Sequence, residues 1–433
     1  MYLWIATMTA EIITIGDELL IGQVINTNQA YLAEKLNTVG VFVERMTTVG
    51  DNRVDILQAF RSAWETYDVV CVTGGLGPTH DDITKKIVCE FFNTDLVRNE
   101  NVFNDVKALF IKRNMAWTQS AEGQVLVPRT CKVLRNSTGT APGMLFEEAS
   151  KRGKKYFVVM PGVPFEMKSI VDEELLPYFE HEHFGTVVRH RTLKTTGIGE
   201  SVLSDEIGNI DRVIGTDGTT TLAFLPNPLG TKLRITVREN TIEAAEQKLA
   251  SAEQKLRARA QKYIYSSNEM DLEDVVGELL TERKLTIAVA ESCTGGMIVH
   301  RMTNVPGSSQ YFNRAFITYS NESKIELLSV AKELIDQYGA VSREVATAMA
   351  TGAKKNAGVD IALSTTGIAG PTGGTPEKPV GLVWIGYADS SGSLALKFNF
   401  GDHRLRFKER ASQAALELLR RKLLKLEIQK NLP

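Results

Sequence analysis

The sequence predicts an α/β protein, with two parallel or mixed-sheet α/β domains joined by a small α+β module. Three observations carry this. Short β-rich runs alternate with amphipathic helical stretches up to about residue 180, and the same alternation starts afresh at about residue 269. Between them, over 181–268, stand a few strands and one long charged helix. At 433 residues the chain is also longer than one hydrophobic core ordinarily organises, which agrees with three regions at 1–180, 181–268 and 269–433.

In the first region the strands are EIITIG (11–16), VFVERMTTV (41–49), YDVVCVTGG (67–75) and KYFVVMPG (155–162). NTNQAYLAEKL and RVDILQAFRSAW, with apolar residues three and four apart, are helices between them. The leading MYLWIATMTA lacks a basic n-region and the length of a signal peptide; it either extends the first strand or precedes a start at Met8. Ligands of such sheets gather at the carboxyl ends of strands. Three ends here carry glycine and polar residues: Gly16-Asp17-Glu18, Thr73 to Asp82 (TGGLGPTHDD), and Pro161-Gly162-Val163-Pro164.

The middle region reads as a strand (VVRHRTLKTTG), a short helix, two strands around a Pro/Gly turn and the long helix IEAAEQKLASAEQKLRARAQKYI, a spacer or interface element. The third region reads LEDVVGELLTER (helix), LTIAVAES (strand), a helix opening at CTGGMIVHRM, RAFITYS (strand) and helices through SREVATAMATGAKKNA. The strands DIALSTTG, VGLVWIGYAD and LALKFNF and a terminal helix complete it.

The 50 Lys and Arg against 52 Asp and Glu leave a net charge of −2, so no basic field invites a nucleic-acid backbone, and direct nucleic-acid binding is not expected. Cys71, Cys89, Cys131 and Cys293 form no C-x-x-C pair and have no neighbouring histidines, which points to a reducing compartment, the cytoplasm. No apolar run reaches the roughly 20 residues of a membrane span.

Ala290-Glu291-Ser292-Cys293-Thr294-Gly295-Gly296 stands at a strand-to-helix junction. There the Ser292 hydroxyl lies beside the amides of a helix start, a site for an oxyanion or phosphate; a capped helix end with close-packing glycines is the alternative. Cys293 is a rival nucleophile without a histidine to activate it, so Ser292 is preferred. Its base is sought in Thr318-Tyr319-Ser320-Asn321-Glu322-Ser323-Lys324: a buried lysine becomes a base when its pKa falls, and a tyrosine hydroxyl relays a proton between lysine and serine. The Gly- and Pro-rich stretch from Ser364 to Gly374 is a loop at a strand end, whose amides and Thr365 and Thr366 hydroxyls suit a small polar ligand. In the first region Gly74, Gly75 and Gly77 permit close backbone approach of an anion. Asp81 and Asp82 either cap the next helix or hold Mg²⁺, with Asp17 and Glu18 as natural partners.

Taken together, TIGDELLIGQ, VTGGLGPTHDDIT, GTAPGM and MPGVPFEM resemble the MoaB/MogA molybdopterin-binding-like fold. AESCTGG, VPGSS, ITYSNESK, GAVSREVATAMATGA and TGIAGPTGG…EKPVG are similar to the CinA/PncC deamidase domain. Nearly the whole chain thus resembles the CinA family of bacterial competence/damage-inducible proteins. The resemblance implies hydrolysis of nicotinamide mononucleotide to nicotinic acid mononucleotide and ammonia, with Ser292 as nucleophile, Lys324 as base and Tyr319 as proton relay, without a cofactor. It implies Thr366, with Thr365 and Gly367 of the same motif, at the substrate and the Gly295 and Gly296 amides at the oxyanion. The family commonly shows GDR before the last helix and an arginine soon after; here the residues are Gly401-Asp402-His403-Arg404-Leu405-Arg406, so the phosphate falls to Arg404 or Arg406, with Arg406 slightly preferred.

For the first region the resemblance implies hydrolysis of ADP-ribose with Mg²⁺ or Co²⁺, metal and pyrophosphate being held by Asp17, Asp81, Asp82 and the Gly74–Gly77 turn. The expected partners are these small phosphorylated nucleotides and a second copy of the chain, a dimer, with no membrane. A non-hydrolytic molybdopterin- or nucleotide-binding protein, or an adaptor in competence and DNA recombination, is the alternative.

Overall fold

The computed structural model describes residues 8–77, 83–150, 153–182, 184 and 187–428, so MYLWIAT at the start lies outside the described residues. The chain is α/β, with four sheets among the described residues. It divides into two compact units, Met1–Arg189 with Val237–Gln247, and His190–Thr236 with Lys248–Pro433. No helix among the described residues is long and apolar enough to cross a membrane.

Eight strands belong to the first unit: β1 (Met8–Ile15), β2 (Val41–Val49), β3 (Val69–Thr73), β4 (Leu96–Arg98), β5 (Leu126–Pro128), β6 (Lys132–Leu134), β7 (Gly143–Ser150) and β8 (Gly153–Met160). Six form one sheet in the order β2-β1-β3-β8-β7-β6, and β4 pairs with β5. The run β2-β1-β3-β8 is parallel. Both faces of these strands are covered: Ile12, Cys71 and Val158 pack into one core, Ile13, Val70, Val72 and Val159 into the other. Burial on both faces selects continuous β-branched runs instead of alternation, as the sequence has. The helices that cover the sheet start where side chains supply caps, Asn26 for Thr27–Thr38 and Asn52 for Arg53–Thr66. The antiparallel hairpin β7–β8 and the short β6 extend the sheet beyond the strands read from sequence. β7 turns its last residues to solvent, so it lacks the unbroken apolar run that marks its neighbours.

The small sheet has the order β10-β11-β9-β12, built from β9 (Val187–Thr195), β10 (Thr220–Asn227), β11 (Gly230–Glu239) and β12 (Ile264–Ser266). The last sheet comprises β13 (Ile287–Glu291), β14 (Phe312–Ile317), β15 (Ile361–Gly367), β16 (Leu382–Asp389) and β17 (Gly392–Asn399) in the order β14-β13-β15-β16-β17. β13 is parallel to both its neighbours, whereas β16 and β17 are antiparallel additions. The chain leaves β13 for one side and later returns on the other, so the carboxyl end of β13 is a switch point open to ligand.

The helix after β13 begins only at Met297, later than the sequence suggests. Gly295 and Gly296 adopt φ of 59° and 96°, left-handed values that turn the chain before the helix can start. The closing helix Arg404–Leu424 lays Phe407, Ala411, Ala415 and Leu418 into the core of this unit. It also buries Glu417 between Arg420 and Arg421, with N···O distances of 2.7 and 2.5 Å.

Candidate functional site

Strand register assembles the first constellation. Glu291 is level with Ile317 of β14 and Thr365 of β15, so the residues that follow, Ser292, Thr318 and Thr366, emerge side by side. The backbone continues this pairing for one step: the Ser292 amide donates to Thr365 O at 3.0 Å and the Thr318 amide to Glu291 O at 2.8 Å.

Lys324, one turn into the helix Asn321–Leu328, is 1 % exposed. Its Nζ lies 3.3 Å from Ser292 Oγ and donates to the carbonyls of Thr318 (2.9 Å), Ser320 (3.2 Å) and Tyr319 (3.4 Å). Removal from water disfavours the ammonium and lowers this lysine below its usual range. Burial acts oppositely on Cys293, pushing its thiol up to about 12 and leaving it inert as a nucleophile. His300 is exposed and faces Asn304.

Two sequence expectations need correction. The Gly295 and Gly296 amides are not open to an oxyanion: the first donates to Ser292 O at 3.2 Å and the second to Glu291 Oε2 at 2.9 Å. Glu291, fully buried, also accepts from the amides of Ile298 and Val299, and so caps this helix from behind. Among the described residues of this turn, the Thr294 amide donates to no protein acceptor, and the Cys293 amide meets only its own thiol. Tyr319, in turn, does not stand between lysine and serine. It is 62 % exposed and its hydroxyl accepts from Arg404 at 2.9 Å, while Lys324 reaches Ser292 directly.

Arg404 also donates to Gly370 O at 3.0 Å, tying the Gly- and Pro-rich loop to the last helix. Arg406, two residues on, is turned about 200° around that helix from Arg404, and the residue sharing the Arg404 face is Lys408. Lys408 Nζ lies 3.5 Å from where a side chain on Gly295 would begin. Arg404 and Lys408 thus share one face of this helix, with Lys408 beside the serine turn, and Arg406 stands on another face. His403 caps the helix by accepting from the Arg406 amide at 3.3 Å. Thr365 bonds Thr294 hydroxyl to hydroxyl at 2.7 Å, Thr366 donates to Ala340 O, and Gly367 lies so close to β16 that a Cβ would meet Leu382 O at 2.6 Å. These three shape the site's wall.

In the first unit a cavity of about 450 Å³ opens at the carboxyl ends of β1, β3 and β8, lined by Thr14, Glu18, Asn28, Gly75, Gly77 and Glu166 among others. Gly74 (φ 118°) is pressed against β1, where a Cβ would sit 2.2 Å from Ile15 O. Asn28 donates to Gly162 O at 2.7 Å and to Thr73 Oγ1 at 3.2 Å, leaving its own oxygen unpartnered. Burial raises Glu166 above the usual carboxylate range against the bond from Asn136. Asp17 Oδ1 accepts from the Asp51 amide at 3.2 Å. Asp81 and Asp82 lie outside the described residues.

Three family descriptions match this chain in order: "Probable molybdopterin binding domain" over residues 11–181, "Damage-inducible protein CinA KH domain" over 190–266 and "CinA C-terminal domain" over 269–423. A CinA-like protein of Chloroherpeton thalassium is 46 % identical over 417 residues, covering 95 % of this chain and 99 % of the relative. The chain belongs to the CinA family. A putative competence-damage inducible protein of Caldicellulosiruptor bescii is 44 % identical, covering 96 % of this chain and all of that one. Among solved structures, the competence/damage inducible protein CihA from Agrobacterium tumefaciens is 36 % identical over 37 % of this chain and 99 % of its own, with a TM-score of 0.34.

Sequence reasoning passed over two residues of the CinA C-terminal region. Glu291 was in view within AESCTGG, yet its capping depends on the glycine turn folding back over it. Lys408 carried a signal, its four-residue spacing from Arg404 on a helix.

Proposed function

We propose that the C-terminal region hydrolyses the carboxamide of nicotinamide mononucleotide through a serine–lysine pair. The observation that carries this reading is the buried Lys324 amine 3.3 Å from Ser292 Oγ, its pKa lowered by removal from water, an arrangement that activates a hydroxyl without histidine. Lys324 takes the Ser292 proton as Oγ bonds to the carboxamide carbon, and the oxygen that gains charge is met by the Cys293 and Thr294 amides. The C–N bond then breaks, ammonia leaving with the proton from Lys324. A water molecule, losing its proton to the same amine, cleaves the acyl-serine to the free acid. Arg404 and Lys408 supply the cationic edge for the phosphate. The test is ammonia release from nicotinamide mononucleotide by the wild-type chain and Ser292→Ala, purified free of host deamidases; equal rates would end this reading.

A second reading concerns the first unit, where the cavity bordered by Gly75 and Gly77 supports binding of a phosphorylated nucleotide, with ADP-ribose cleaved in the presence of Mg²⁺ or Co²⁺. Among the described residues no three His, Cys, Asp or Glu side chains come together to hold a metal. Asp17 by itself does not make such a site, and the metal part of this reading stands on Asp81 and Asp82. AMP formation from ADP-ribose, with and without each cation, tests it.

A further inference from the structure

Ser292 is the middle member of a row of hydroxyls. Ala290 of β13, Phe316 of β14 and Ala362 of β15 pack into one core with Leu328, Val345 and Met349 of the helices Asn321–Leu328 and Arg343–Ala357. Strand residues two apart share a face. Ser292 and Thr318, two past Ala290 and Phe316, and Thr366, four past Ala362, therefore carry their hydroxyls to that same face, level with one another. Two of the three are engaged: Ser292 Oγ meets Lys324 Nζ at 3.3 Å, and Thr366 Oγ1 donates to Ala340 O at 2.8 Å. The third is not. Thr318 is fully buried and its Oγ1 has no hydrogen-bond partner, although its carbonyl accepts from Lys324 Nζ at 2.9 Å. A buried hydroxyl left unpaired is costly, and native proteins satisfy nearly all of them, with protein groups or with water. Adjacent strands stand about 4.8 Å apart, and at that spacing one water bridges two level hydroxyls with bonds of ordinary length. Here the neighbours are the nucleophile and Thr318, with the Lys324 amine in contact with both residues.

We infer that Thr318 is a positioning residue for the second half of the reaction: its hydroxyl holds the water that hydrolyses the acyl-serine. Thr318 Oγ1 accepts one hydrogen of that water, the other points at Lys324 Nζ, and an oxygen lone pair is left for the acyl carbon. The water oxygen bonds to that carbon as its proton passes to the amine. The bond from the carbon to Ser292 Oγ then breaks, and Oγ recovers the proton from Lys324. Acylation consumes no water, so this hydroxyl bears on deacylation alone. The inference rests on the serine–lysine reading and adds the residue that serves its hydrolytic half.

The experiment follows ammonia release from nicotinamide mononucleotide by the full chain on a rapid time base, since ammonia leaves at acylation and the acid only at deacylation. Thr318→Val keeps the shape of the side chain and loses the hydroxyl. It should release one ammonia per chain in a burst and then turn over on the order of 100-fold more slowly than wild type. The acyl group should be trapped on Ser292 and visible by intact mass after an acid quench. Thr318→Ala removes the same hydroxyl and should behave alike, so the result does not hang on one variant folding. Thr318→Ser keeps the hydroxyl and should turn over near the wild-type rate. Given ammonia release by wild type, three results would each overturn the role of Thr318 and leave the serine–lysine reading standing: wild-type turnover without the hydroxyl, equal slowing of burst and steady phases, or a Thr318→Ser variant as slow as Thr318→Val. No ammonia release by the wild-type chain would overturn both.

Discussion

At the scale of single residues, the proposed chemistry turns on one proton. Ser292→Ala and Lys324→Met should each lower ammonia release by a factor on the order of 10⁴, and the double variant should lose little more, because groups acting as a unit are not additive. On the proposed mechanism the lysine works when deprotonated, and burial lowers its pKa from the usual 10.5. Activity, read as kcat/KM, should therefore rise with pH through a limb below 10.5, and Lys324→Met should abolish that limb. Arg404→Ala should raise KM for nicotinamide mononucleotide about tenfold to a hundredfold with a smaller change in kcat, while Arg406→Ala should leave both near wild type. The serine and lysine were legible because each sits in a short motif next to a strand end. Which amides of the serine turn are occupied was not. Which amides stay free depends on where Glu291 places its carboxylate, and that follows from two left-handed glycines that a linear reading registers only as a turn.

At the scale of elements, strands buried on both faces and capped helices were legible because composition and periodicity are local. β6 and β7 were missed because a half-exposed hairpin strand has no distinctive run. Packing makes its own demands. Gly352 in the helix Arg343–Ala357 passes so close to the neighbouring helix that a Cβ would lie 1.9 Å from Leu328 O. Gly352→Ala should cost about 1–3 kcal/mol in chemical denaturation. Glu417→Ala leaves Arg420 and Arg421 buried without their carboxylate and should cost about 3–5 kcal/mol.

At the scale of the whole molecule, the two α/β units use one solution twice. Each has a parallel run, β2-β1-β3-β8 or β14-β13-β15, with antiparallel strands added at one side. Between the two α/β regions, the segment matched as a KH domain carries Gly215-Thr216-Asp217-Gly218, a turn in which Lys248 holds Asp217 at a pKa of about 2. The Asp217–Lys248 ion pair at 2.7 Å adds no net positive charge to this turn for a phosphate backbone to meet, in keeping with a net charge of −2 for the chain. Fluorescence polarisation with labelled single- and double-stranded DNA should accordingly show no binding at physiological salt; tight binding that weakens steeply as salt rises would contradict this.

The Glu291 carboxylate behind the serine turn also bears on the proposed reaction. A helix start attracts carboxylates, and deamidation would turn a neutral carboxamide into one. Glu291 already occupies three amides of this helix start, those of Gly296, Ile298 and Val299. An acid product would meet only the amides of Cys293 and Thr294, a weaker hold than an uncapped helix start would give it.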